Sequence, residues 1–187
     1  NGALFKKLSY DPDKDFAPVI RCVTGVNALV VNNDVPVKTV AELIDYAKKN
    51  PGKLAYASSG AGTATQMRIE MLKLKAGLDI LHVPYRGGAD ALTDILSNNI
   101  HMMNEPVTLP HVKAGKLILL NINGPLRHPE FPDVPSTTEL GIPDAEVPIW
   151  FSIWAPVGTP KEIREKMNAK MAEIAETADM KARMLAV

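Results

Sequence analysis

The chain has 187 residues and balanced charge, with 21 Lys and Arg against 21 Asp and Glu. That balance argues against a nucleic-acid partner or an anionic membrane surface held by long-range charge. The length suits one large domain or two small lobes with a substantial core, and no apolar run reaches membrane-spanning length. The single cysteine, Cys22, has no intrachain partner for a disulfide or a thiolate cluster. No signal peptide is legible at Asn1, as in a mature or trimmed chain.

In chain order, residues 1–18 are too polar and Pro-broken for a core element, and the alternating Asp11, Asp13 and Asp15 read as a solvated turn. Val19–Val23 and Ala28–Val31 are β-rich and flank Thr24-Gly25. The clearest helix follows: Thr39 caps it, Glu42 closes a capping box, and Val40, Leu43, Ile44 and Ala47 make one apolar face. Asn50-Pro51-Gly52 ends it. Leu54–Ala57 is a short apolar strand, and after a small-residue loop Ala64, Met67, Met71 and Leu74 recur at helical spacing up to Gly77. Ile80–Val83 is the next strand, and Pro84–Gly88 turns into a helix on Ala89, Leu92, Ile95 and Leu96. A polar segment leads from Ile100–Met103 to the strand Leu117–Ile122. Strands alternating with helices of this length predict a mainly parallel sheet with helices on its faces. From Gly124 to Pro148 prolines accumulate, as in a linker or a wrapping segment, and Val147–Trp154 is apolar and aromatic. The last helix is expected to open with Thr159 as cap and Pro160 at its first position, with Ile163, Met167, Met171 and Ile174 as its stripe.

The stretch from Ala57 to Gln66 carries the most chemistry. Gly60 and Gly62 let backbone approach a ligand, and a helix starting inside the loop turns amide N–H groups outward. Thr63 with Gln66 matches a capping box. Such a start binds phosphate or carboxylate alike, and a plain tight turn into a capped helix fits the same residues. No Lys follows the glycines and the GxGxxG spacing is absent, so neither a Walker A loop nor a dinucleotide site is present. Ser58-Ser59-Gly60 lacks the GxSxG elbow, and His82, His101, His111 and His128 are scattered without a ligand pair. The sequence therefore calls for no metal or cofactor and offers no catalytic apparatus. Arg86 beside Gly87-Gly88 is either a carboxylate clamp or a surface arginine on a turn, and Tyr85 is divided between packing and ligand contact. In parallel sheets ligands sit beyond the strand C-terminal ends, where both glycine-bearing loops fall.

Several segments taken together resemble the extracytoplasmic solute receptors of tripartite tricarboxylate transporters, the TctC or Bug family. They include Tyr10–Val19, Pro36–Leu43, Asn50–Leu54, Tyr56–Thr63, His82–Gly88, Lys113–Leu117, Pro132–Ser136 and Ala155–Pro160. They occur in family order across nearly the whole chain, and the order is more specific than any one of them.

The resemblance implies a periplasmic binding protein-like type II α/β fold, two lobes with mainly parallel sheets flanked by helices, closing on a small organic acid. It implies a periplasmic location, delivery to membrane transporter subunits, no nucleic acid and no catalysis. The family grips one ligand carboxylate between two strand-to-helix loops, largely through backbone amides and water. Carried onto this chain, the ligand-binding residues are Ser58, Ser59, Gly60, Ala61, Gly62, Thr63, Gln66, Tyr85, Arg86 and Glu105. The family's longer first-lobe segment before Tyr10 is not among these residues, so the first lobe is expected to be incomplete. Gln66 stands where the family usually has His, and Glu105 is the nearest match to an acidic residue after the Ile100–Met103 strand. The expected division is residues 1–23 in the first lobe, 24–123 in the second, and 124–187 returning to the first, with Trp150 and Trp154 in the returning segment.

Overall fold

The computed structural model describes residues 7–142 and 149–185. The chain divides into two compact units at the Gly25/Val26 and Pro148/Ile149 junctions.

The central unit is built on a five-stranded sheet in the order β4-β3-β5-β2-β6. Its strands are β2 (Asn27–Asn32), β3 (Ala55–Ser58), β4 (Leu81–Pro84), β5 (Met102–Asn104) and β6 (Leu117–Asn123). β3 runs parallel to β4 and β5, while β2 is antiparallel to β5 and β6. Four strands thus share one direction and β2 alone opposes them, a mixed sheet that is mainly parallel. Helix α1 (Val40–Lys49) precedes β3, α2 (Ala64–Ala76) crosses from β3 to β4, and α3 (Gly88–Leu96) crosses from β4 to β5. Strands covered on both faces need continuous apolar runs rather than alternation. Accordingly, β2 and β3 are buried at every position. One core layer packs Leu43 and Ala47 of α1 with Ile69 and Leu72 of α2 against Tyr56 and Met102. The opposite layer sets Ala91 and Ile95 of α3 against Val30, Ala57 and Met103.

The α1 cap forms as the sequence predicts, with Glu42 N–H donating to Thr39 Oγ1 at 3.1 Å. Other details differ. The buried face of α2 is Thr65, Arg68, Ile69 and Leu72, not the Ala64, Met67, Met71, Leu74 stripe, and Leu74 is 78% exposed. The polar segment before β6 contains a 3-10 turn at Pro106–Thr108 and a short helix α4 (Leu109–Lys113) that proline content concealed. Residues 124–142 lie with the central unit rather than with the C-terminal part. Ile122 pairs with Ser136 in a parallel bridge, Thr137 N–H donates to Ile122 O at 2.9 Å, and the Asn121 amide donates to Thr137 Oγ1. The proline-rich stretch is therefore a wrap along the β6 edge, and the boundary moves from 124 to the start of β7. The remainder of that stretch, with Val147 and Pro148, lies outside the described residues.

The second unit pairs β1 (Phe16–Gly25) antiparallel with β7 (Ile149–Pro156), beside α5 (Lys161–Ala175) and α6 (Ala178–Leu185). Pro160 is the cap of α5, one position later than expected, and no side chain closes it. Asn168 holds α5 to β1 through a 2.6 Å bond to Val19 O. The predicted stripe on α5 exists but is not covered, since Ile163, Met167 and Ile174 are all exposed. Trp150 and Trp154 on β7 are half exposed and line a concavity with Arg21 and Asn168.

Candidate anion-binding site

The C-terminal edge of β3 and β4 is where the two glycine-bearing loops meet. β3 ends at Ser58, which is fully buried, and the loop Ser59–Thr63 feeds α2. Gly60 and Gly62 sit at φ +124° and +78°, a region open to glycine and strained for other residues. Tyr85 N–H donates to Ser58 O at 2.9 Å and ties the second loop to the first. From there Gly87 and Gly88 open α3.

Neither helix start is closed by a side chain. Thr63 is the cap residue of α2, but its hydroxyl donates back to Gly60 O at 2.7 Å. Gln66 does not reach the cap residue either; its Oε1 accepts from Gly62 N–H at 2.6 Å. The capping box read from Thr63 and Gln66 is thus replaced by a tie within the loop. The cap residue of α3 is Gly87, which has no side chain to offer. First-turn amides lie beyond the intrahelical ladder and carry the positive end of the helix dipole. Two such ends side by side are an arrangement suited to a carboxylate or phosphate.

The sequence-predicted residues are distributed unevenly around this edge. Ser58, Ser59, Gly60, Ala61, Gly62, Thr63 and Gln66 form one hydrogen-bonded loop, with Ser59 Oγ 3.0 Å from Thr65 Oγ1. Glu105, just past β5, is buried beneath the start of α3, where a Cβ on Gly88 would come within 3.2 Å of its carboxyl carbon. Burial pushes the Glu105 carboxyl up. The Ser59 and Thr65 hydroxyls and the Arg68 charge pull against that without cancelling it. The Tyr85 hydroxyl turns to α3 and donates to Asp94 at 2.5 Å; burial, and after it that bond and the Asp94 charge, pushes its pKa up to about 12. Arg86 is exposed on the turn, and no ion-pair partner is recorded for it among the described residues.

Sequence reasoning missed His82, Thr65 and Arg68. His82 Nε2 lies 2.7 Å from Ser58 Oγ and its ring stacks on Tyr56 at 4.8 Å. Position Thr65 offered no signal beyond a polar residue one step inside the helix, but its hydroxyl receives Ser59 N–H at 3.2 Å. Arg68 is buried, with its guanidinium beside the equally buried Asn27 side-chain amide. The Ser58–His82 pair looks like a nucleophile with its base, and the hydrogen-bond directions say otherwise. Gln66 Nε2 faces His82 Nδ1 at 3.2 Å and can only donate, so the neutral ring carries its proton on Nε2 and donates it to Ser58. The ring lone pair points away from the hydroxyl, so His82 is not placed as a base for Ser58. Among the described residues no group of His, Cys, Asp and Glu is placed to hold a metal ion.

The fold is α/β, of the periplasmic binding protein-like type II class. The chain belongs to the tripartite tricarboxylate transporter receptor family, whose model matches residues 2–186. A curated relative from Pseudomonas sp. strain P51, described as a UPF0065 protein in the tcbD-tcbE intergenic region, is 34% identical over 94% of this chain and 53% of its own length. Among solved structures, Rpa4515 of R. palustris with adipate is 32% identical with a TM-score of 0.88, over 96% of this chain and 60% of that one. MatC (Rpa3494) from Rhodopseudomonas palustris with bound malate is 31% identical with a TM-score of 0.87, over 97% and 62% respectively. The chain thus spans about half the length of the curated relative it matches.

Proposed function

We propose that this chain forms part of a periplasmic receptor that captures a small organic carboxylate and hands it to the membrane subunits of a tripartite transporter. The observation that carries the proposal is the pair of uncapped helix starts, α2 and α3, at the ends of adjacent parallel strands. Gly60 and Gly62 keep the approach clear, and backbone amides supply the grip. Donors of this kind recognise a carboxylate and tolerate varied tails, which fits relatives whose structures hold adipate and malate. Binding closes a hinge and involves no covalent step.

The test is a thermal-shift screen with adipate and malate beside nucleotides and sugar phosphates. It is run on this chain and on one extended at its N terminus to the relatives' length. A ligand at one hundred times its dissociation constant stabilises by ~2.7 kcal/mol, a rise on the order of 5–10 °C for a chain of this size. Carboxylate shifts, larger in the extended chain, are expected. Shifts with phosphates and none with carboxylates in either chain would overturn the reading in favour of a phosphate-binding α/β enzyme.

A further inference from the structure

Gln66, His82 and Ser58 form a line of hydrogen bonds whose direction is set at its first end. Gly62 N–H donates to Gln66 Oε1 at 2.6 Å, which commits the amide nitrogen to the ring side, 3.2 Å from His82 Nδ1. His82 therefore accepts at Nδ1 and donates from Nε2 to Ser58 Oγ at 2.7 Å. Ser58 in turn gives its own hydrogen to Gly60 O at 3.1 Å. The line starts on Gly62 and ends on Gly60, the positive-φ positions of the anion-facing loop. Every donor along it meets an acceptor only while the ring is neutral.

We propose that His82 and Gln66 are positioning residues for this loop, and that a second proton on His82 breaks the line and weakens carboxylate binding. The affinity half of this rests on the carboxylate reading above. A protonated ring donates from both nitrogens. Gln66 would then face it donor to donor, and turning its oxygen toward the ring would withdraw that oxygen from Gly62. Either way the loop loses one of its ties. The groups facing the ring are Tyr56 from β3, stacked on it with its hydroxyl on Glu70 at 2.6 Å, and Glu70 and Lys73 from α2. Burial and Lys73 oppose the cation and Glu70 favours it, with the balance lowering the His82 pKa, so the exchange falls on the acid side of neutrality.

The decisive experiment needs no ligand. Ring and backbone ¹⁵N NMR of the chain is followed from pH 8 to pH 5. His82 is expected as the Nε2–H tautomer at neutral pH, with the Gly60 and Gly62 amide shifts following its titration. Gln66→Glu supplies an acceptor to the cation while keeping one for Gly62, so it should raise the His82 midpoint and leave the glycine amides in place. An Nδ1–H tautomer, or glycine amides that ignore the ring, would overturn the proposal. In a second arm adipate is titrated at pH 7.5 and 5.5 into the wild type and into His82→Gln. Adipate's own titration is common to both, so an additional loss of about three- to tenfold in the wild type is expected, the size of one net hydrogen bond. Equal losses in the two proteins would overturn the affinity half. Failure of adipate to bind at any pH would tell against the carboxylate reading instead, and the NMR arm would still decide the relay.

Discussion

Thr39 in front of α1 and Thr63 in front of α2 each stand three residues ahead of a side chain able to close a capping box, Glu42 and Gln66. At α1 the hydroxyl accepts from Glu42 N–H, and the Glu42 carboxylate turns back to Lys38 N–H at 2.6 Å. That helix start satisfies itself. At α2 the loop before the cap contains two glycines at positive φ, which fold a carbonyl, Gly60 O, within reach of the Thr63 hydroxyl. Once that hydroxyl donates to Gly60 it is no longer placed to cap the helix, and Gln66 is held by Gly62 and His82. One sequence device therefore serves stability at α1 and leaves amides available at α2. Loop backbone rather than the motif decides which.

The largest effects should come from the buried faces that hold the two helices. Leu43→Ala on α1 and Ile69→Ala on α2 each empty a fully enclosed position, and each should cost about 3 kcal/mol in urea unfolding. Leu74→Lys, on the face that sequence periodicity favours, should change stability by less than about 0.5 kcal/mol because that side chain already faces solvent. A large loss at Leu74 with none at Ile69 would mean that α2 is rotated about its axis, with Leu74 rather than Ile69 on the core. The caps come next. Thr39→Ala should cost about 1 kcal/mol, or ~2–4 °C in Tm. Thr63→Ala removes no cap bond and should cost clearly less, while loosening the loop enough to weaken carboxylate binding. Equal losses of stability at the two threonines would erase the contrast between the helices.

Much of the architecture was legible because buried parallel strands and capped helices leave strong local patterns. The β2, β3, β4 and β6 segments, the α1 cap and the glycine-bearing loops could all be read from neighbouring residues. Misreadings arose where tertiary context chose between local options. The face of α2 is set by a buried arginine and a threonine hydroxyl, Arg68 and Thr65, which a search for apolar periodicity passes over. Residues 124–142 read as a departure from the central unit because prolines break helices and strands. Yet three hydrogen bonds at Ile122, those of the Asn121 and Asn123 amides to Thr137, and the packing of Phe131, Val134, Leu140 and Ile142 on the core lay them along β6. The Ser58–His82 contact joins residues 24 apart through sheet register, since Tyr56 pairs with His82 and Ser58 with Pro84. No spacing rule reaches that.

The smallest effect concerns Glu105, the acid that lies under the α3 start. Its Oε1 is buried and has no hydrogen-bond partner recorded among the described residues, and burial leaves its pKa above the ordinary glutamate value. In the unfolded chain the proton leaves at the ordinary value, so between the two pKa values the folded state holds more protons. Stability must then fall as pH rises through that interval and stay lower above it. Glu105→Gln has no such proton to lose. It should match the wild type at pH 4 and exceed it at pH 7.5 in urea midpoint, and the loss of a negative charge beside the amides should tighten adipate. The opposite result is also informative. If the variant is the weaker protein at pH 7.5, the Glu105 charge is needed to hold Arg68. The acid would then be a support for α2 that the site accommodates, and the two helix starts alone would set the affinity for anions.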